Sequence, residues 1–234
     1  MKRFYREAAS RVSDGRWAIE LDGRPVRTPA GGTLAVPTPA LAQAICDEWN
    51  AQGDRVDTQT MPLTRISNAA IDLVPSQREA VIGQMVQFGE TDLLCYRAAE
   101  PEGLAARQQA KWQPPLDWLL RHYDAPLRVT TGIGHVAQPE QSLAVLRATL
   151  AGMNDFQLAA MSNLVTLLGS IVLALAIRDR AMQPDEAWDA SIVDEMYQAE
   201  LWGDDPEAAE RRAARKAELD VAAAMLRMLE RRDG

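Results

Sequence analysis

Among the 234 residues there are only two cysteines and two histidines, the side chains most often found as metal ligands or as nucleophiles and bases near neutral pH. His122 and His135 stand beside Arg121 and Gly134 with no ligand spacing around them, which argues against a metal and gives no reason to expect any cofactor. Cys46 and Cys95 are far apart, and Cys95 lies within the apolar run Leu93-Leu-Cys-Tyr96, so both read as reduced, buried thiols. Long apolar stretches are missing too. The most apolar one, Leu164 to Ile177, is broken by Thr166, Gly169 and Ser170 and falls short of the ~20 residues a bilayer requires, so it reads as a buried helix without membrane insertion. Met1 to Glu7 carries charges on both sides of Phe4-Tyr5, and no signal-like run or mitochondrial presequence follows. No export is expected, and the thiols fit a reducing compartment. No fixed-period repeat appears, and Thr28-Pro-Ala-Gly-Gly-Thr33 lacks the lysine and spacing of a phosphate loop.

What is present is ordinary globular composition, with 47% hydrophobic and 25% charged residues, enough for a substantial core. Net charge is −8 and the isoelectric point is near 4.9, so attraction to nucleic acid is unfavourable for the molecule as a whole.

The first part of the chain alternates short β-prone runs, Phe4-Tyr5, Trp17 to Leu21 and Pro25-Val26, with Asp14-Gly15 and Asp22-Gly23. An Asp-Gly pair between such runs marks a tight hairpin, and residues 3–36 read as a small antiparallel sheet. Thr38 can cap a helix running to about Asn50, with Trp49 packing it onto the sheet. Helical periodicity then predicts helices over 61–73, 76–89, 102–122, 140–151, 155–178, 184–200 and 206–231. The helix from Asp155 is apolar nearly all round, as a central spine would be. The fold class is α+β: a β-rich domain over 1–60 and an α-helical domain over 61–234.

Charge is unevenly spread. Residues 181–210 hold ten Asp or Glu and no Lys or Arg. Helical spacing puts Trp188, Ile192 and Met196 on one face and leaves Asp194, Glu195 and Gln198 on another, facing outward. Asp204-Asp-Pro-Glu207 has capping-box spacing and opens the last helix. One reading is a solvated face with a helix cap. The other is a docking surface in which Trp202 is an apolar anchor and Asp194, Glu195, Gln198, Asp204, Asp205 and Glu207 steer a locally basic partner.

Several segments in order, Arg3-Phe-Tyr5, Leu21-Asp-Gly-Arg-Pro-Val-Arg-Thr-Pro29, Glu48-Trp49, Met61-Pro-Leu63, Thr91-Asp-Leu-Leu-Cys-Tyr-Arg97, Gly169-Ser170, Asp194-Glu195 and Trp202-Gly-Asp-Asp-Pro-Glu-Ala208, resemble the assembly chaperones of the ATP synthase F(1) alpha subunit. The resemblance spans nearly the whole chain. It implies a β-rich N-terminal and a helical C-terminal domain, no catalytic residues, and a chaperone, monomeric when free, that shields the unassembled alpha subunit until it meets the beta subunit. It also implies that the Trp202 to Ala208 segment is functionally sensitive, and that the location is the bacterial cytoplasm, or the mitochondrial matrix for a eukaryotic member. Two other readings stay open from the residues alone: a small-molecule enzyme using Asp92, Arg97 or Glu195 in an interdomain cleft, and a scaffold that remains in the final complex.

Overall fold

The computed structural model describes residues 1–230. Four short strands, β1 (Ala8–Ser13), β2 (Arg16–Leu21), β3 (Arg24–Pro25) and β4 (Ala35–Val36), form an antiparallel sheet in which β2 pairs with all three others. Both Asp-Gly turns close hairpins with positive φ at each residue: Asp14 50°, Gly15 72°, Asp22 48° and Gly23 77°. That conformation suits glycine and is tolerated by aspartate, which is why the pair recurs. Phe4-Tyr5 is not a strand. Tyr5 is instead a buried anchor whose hydroxyl donates to the Trp49 carbonyl oxygen at 2.7 Å.

Helix α1 (Pro39–Asn50) begins where the Thr38 hydroxyl accepts the Leu41 amide, with Pro39 in the first turn. It covers the sheet through Leu41, Ile45 and Trp49, all buried. Glu48 reaches forward from α1 to the start of α2 (Pro62–Asp72) and accepts the amides of Leu63 at 2.6 Å and Thr64 at 2.9 Å, capping that helix from another element. Burial raises the Glu48 carboxyl above its ordinary range while those hydrogen bonds pull the other way.

Helix α3 (Val74–Glu90) departs from helical angles at Gln77, and the pair β5 (Tyr96–Arg97) and β6 (Thr130–Thr131) is parallel. The remaining helices are α4 (Glu102–Tyr123), α5 (Glu140–Ala151), α6 (Asp155–Leu168), α7 (Ile171–Arg178), α8 (Pro184–Ser191), α9 (Val193–Trp202) and α10 (Pro206–Leu229). Two compact units result. The first holds residues 1–78, 154–160 and 221–230, and the second holds 79–153 and 161–220. Helix α2 therefore belongs with the sheet, and α6 starts in the first unit and finishes in the second.

Two predicted helices are each broken in two. The expected spine over 155–178 stops at Gly169, whose φ of 63° a helix cannot accommodate, and restarts after Ser170. Ser170 accepts the Leu173 amide through its hydroxyl and donates to Asp92 Oδ2 at 3.0 Å. Asp92 is fully buried and also accepts the Val172 and Leu94 amides. Apolar periodicity runs straight through this break because both halves are buried nearly all round, so the pattern alone could not report it. The helix over 184–200 likewise breaks at Ile192 (φ −110°, ψ 15°). That shift turns Met196 outward, and it is 36% exposed instead of sharing the buried face of Trp188 and Ile192.

Candidate functional site

Helix α9 ends at Gly203, whose φ of 91° and ψ of 152° carry the chain out of the helix toward Pro206. The two residues before it are apolar and face solvent. Trp202 is 82% exposed and Leu201 56%, with Met196 on the same helix. A tryptophan left so open forgoes the burial that normally makes the residue favourable.

Around this ridge the residues singled out from the sequence are arranged differently from expectation. Asp194, Glu195, Gln198, Asp204, Asp205 and Glu207 are all exposed, yet they do not form a bare acidic strip. Asp204 is held by Arg212 Nη2 at 2.5 and 2.6 Å, and Glu195 by Arg215 at 2.9 Å. The Arg215 guanidinium lies over the Trp188 ring at 5.2 Å. Arg107 pairs with Glu200 at 2.6 Å, Lys216 with Asp185 at 2.6 Å, and Lys111 with Asp189 at 3.8 Å. The Arg107–Glu200 hydrogen bond lowers the carboxyl and raises the guanidinium, a consistent pair of shifts between two exposed groups. Each exposed pair adds little stability, but together they cancel most of the field that a sequence stretch without Lys or Arg suggests. Arg211 and Arg212 are near in sequence, but Arg107, Lys111, Arg215 and Lys216 come from α4 and from further along α10, where a local charge count does not reach. The exposed Leu201 was missed for another reason. Next to Trp202 at a helix end, it carries no periodic signal to say which way it faces.

Asp194 has a further tie. It accepts from Gln108 Nε2 at 2.7 Å, and the buried Gln108 accepts the Ala98 amide through Oε1 at 2.7 Å, so α9 is pinned to α4 and to the segment after β5. The expected capping box from Asp204 to Glu207 is not formed. Asp205 is the cap, since its carboxylate accepts the Ala208 amide at 3.0 Å and its carbonyl the Ala209 amide at 2.9 Å. Pro206 fixes that register, because its locked φ suits the first helical position. Glu207 points to Arg211 at 3.5 Å instead. Asp205→Ala is expected to lower stability by ~1 kcal/mol, and a thermal melt followed by circular dichroism should show a midpoint lower by ~2–4 °C.

The groups considered for catalysis have structural occupations. Asp92 lies at the start of α7 among its own hydrogen bonds, and Arg97 reaches Gln113 at 2.9 Å and also Gln109. Burial pushes the Cys46 thiol up to about 11 and the Cys95 thiol up to about 12, so neither supplies a thiolate near neutrality. Among the described residues, no group of three or more His, Cys, Asp or Glu could hold a metal ion, and no helix is long and apolar enough to cross a membrane.

Residues 2–120 match the family described as ATP12 chaperone protein. The protein atp12, mitochondrial, of Schizosaccharomyces pombe is 26% identical over 214 residues, covering 86% of this chain and 74% of the yeast protein. The crystal structure of Atp12 from Paracoccus denitrificans superposes with a TM-score of 0.93 at 40% identity, covering 98% of both chains, and an aspartate-to-lysine mutant of the same protein gives equal values. The chain belongs to the ATP12 family of chaperones.

Proposed function

We propose that this protein binds the unassembled alpha subunit of F(1)-ATPase, keeps it from aggregating, and hands it over during assembly of the ATP synthase. It does so as a binder, without bond chemistry. Obligate subunits expose large apolar interfaces before assembly, and a chaperone that covers such a surface stabilises the orphan by mass action. The observation that carries this reading is the open Trp202 and Leu201 pair at the end of α9, rimmed by Glu195, Gln198, Asp204, Asp205 and Glu207. An apolar anchor within a polar rim is the arrangement that concentrates binding energy at an interface. Because Arg212 and Arg215 already neutralise Asp204 and Glu195, the anchor contributes more to this docking than the acids do. An affinity on the order of micromolar to tens of nanomolar suits a hand-off.

Light scattering by the isolated alpha subunit on warming tests the proposal. The wild-type protein is expected to suppress the signal, and Trp202→Ala to require ~10-fold more protein for the same effect, in line with loss of a central aromatic anchor. The melting temperature of the variant should be unchanged. Failure of the wild type to suppress aggregation would sink the proposal, whereas equal performance of the two proteins would remove Trp202 from the contact.

A further inference from the structure

A second surface lies within the first unit and plays no part in the α9 site. Residues 1–3 run antiparallel to 54–56, with the Arg3 amide donating to the Asp54 carbonyl at 2.9 Å and the Val56 amide to the Met1 carbonyl at 2.7 Å. Residues of this segment line two recesses. One, of about 960 Å³, is lined by Lys2, Arg3, Asp54 and Arg55. The other, of about 520 Å³, is lined by Phe4, Asp22, Arg24 and Arg27 over Leu21 and Trp49. Tyr5 contributes to both.

The balance of charge here is opposite to that of the chain. Residues 1–36 carry seven Lys or Arg against four Asp or Glu, in a protein whose net charge is −8. Each recess keeps a positive balance, with Lys2, Arg3 and Arg55 against Asp54 in the first and Arg24 and Arg27 against Asp22 in the second. The Arg3 guanidinium is satisfied by the carbonyl oxygens of Tyr5 at 3.1 Å, Gln52 at 2.5 Å and Arg6 at 2.7 Å, which take up its donors without neutralising it. Asp22 accepts the amides of Arg6 at 3.1 Å and Glu7 at 3.0 Å, which leave its charge in place, and it is outnumbered by Arg24 and Arg27 in that recess. Among the described residues, Lys2, Arg24 and Arg55 form no ion pair and are exposed. In the second recess Phe4 is 65% exposed, its ring edge-on at 5.4 Å to Tyr5, which lines both.

We infer that this corner is a docking surface for an extended acidic segment of a partner protein. An aromatic or large aliphatic side chain of that segment covers Phe4, and carboxylates on either side of it reach Lys2 and Arg55 in one recess and Arg24 and Arg27 in the other. The exposed ring calls for an apolar contact that a simple anion lacks, and the split of cations between two recesses matches carboxylates spaced along a peptide. A long polyanion such as nucleic acid would meet the negative charge of the rest of the molecule, while a segment with a few carboxylates feels chiefly the local field.

The test is fluorescence anisotropy of the full chain with a labelled, acetylated Glu-Asp-Glu-Phe-Asp-Glu peptide. Saturable binding is expected in low salt, weakening at least ~10-fold as ionic strength rises to about 0.5 M. The double variant Lys2→Glu, Arg55→Glu and the single variant Arg24→Glu should each bind at least ~10-fold more weakly, since each places like charges against the peptide. Phe4→Ala should lose several-fold at any salt. Arg121→Glu, the same charge change in the second unit, should bind like the wild type. Absence of saturable binding overturns the inference. So does an equal loss with Arg121→Glu, which would reduce the effect to net charge. Stronger competition by an oligothymidylate than by unlabelled peptide would assign the surface to nucleic acid and overturn it as well. These readouts are separate from aggregation of the alpha subunit, so either result can fail alone.

Discussion

Trp49→Arg is expected to cost roughly 3–5 kcal/mol or more, enough to leave much of the protein unfolded or aggregated at physiological temperature. Trp49 is 8% exposed and meets Tyr5 edge-on at 5.6 Å, so truncation alone removes a large part of the contact between α1 and the N-terminal segment. Arginine adds a second penalty. The Arg3 guanidinium already sits over the Tyr5 ring at 4.7 Å, and a second cation placed near it would be both desolvated and repelled. Tyr5 also donates to the Trp49 carbonyl, so displacing that backbone loosens the pair further. Urea unfolding monitored by tryptophan fluorescence and far-ultraviolet circular dichroism would measure the loss. A Trp49→Arg protein with wild-type stability and impaired partner binding would move Trp49 from the core to the contact surface.

Asp92→Ala is the other large effect, and its size should vary with pH. Removing the carboxylate strands the buried Leu94 and Val172 amides and the Ser170 hydroxyl, each loss being worth ~1–3 kcal/mol. Against this, the mutation relieves the burial of a charge. Burial pushes the Asp92 carboxyl from its ordinary 3.8 up to about 6, with the hydrogen bonds from Leu94 and Ser170 opposing the rise. Since the folded value is the higher one, between these two pH values the folded protein keeps a proton that the unfolded chain has released. Asp92 therefore adds stability as pH falls through about 6 and loses that contribution as pH rises, up to ~3 kcal/mol in all. The gap between wild type and Asp92→Ala should widen by ~1–2 kcal/mol on going from about pH 7.5 to pH 5. Urea titrations of both proteins at the two pH values check this, and a constant gap would show that burial does not set the ionisation of Asp92.

What could be read from the sequence depended on how local its cause was. Asp14-Gly15 and Asp22-Gly23 announced their hairpins because positive φ is a property of the two residues themselves. Thr38 and Pro39 announced α1 for the same reason. The break at Gly169 lay in plain view as a Gly-Ser pair, but its meaning depends on Asp92, 78 residues earlier, whose side chain holds the new helix start. The acidic stretch misled in the same way. Glu195, Glu200 and Asp204 take their cations from Arg215, Arg107 and Arg212, and of these only Arg212 is near in sequence. Trp202 was legible as a candidate anchor through its neighbours, whereas Leu201 became one only when α9 was seen to end there.

The return of residues 221–230 to the first unit has a consequence for the order of events at the ribosome. The Thr38 hydroxyl that caps α1 also donates to the Met228 carbonyl at 2.7 Å, a bond spanning 190 residues. Chains fold as they emerge, from the N-terminus forward. Here the sheet and α1 emerge first but wait for nearly the last turn of α10 before their set of contacts is complete. The N-terminal unit thus stays unfinished through almost the whole of translation, and a nascent chain stalled before residue 221 presents an open core at its oldest end.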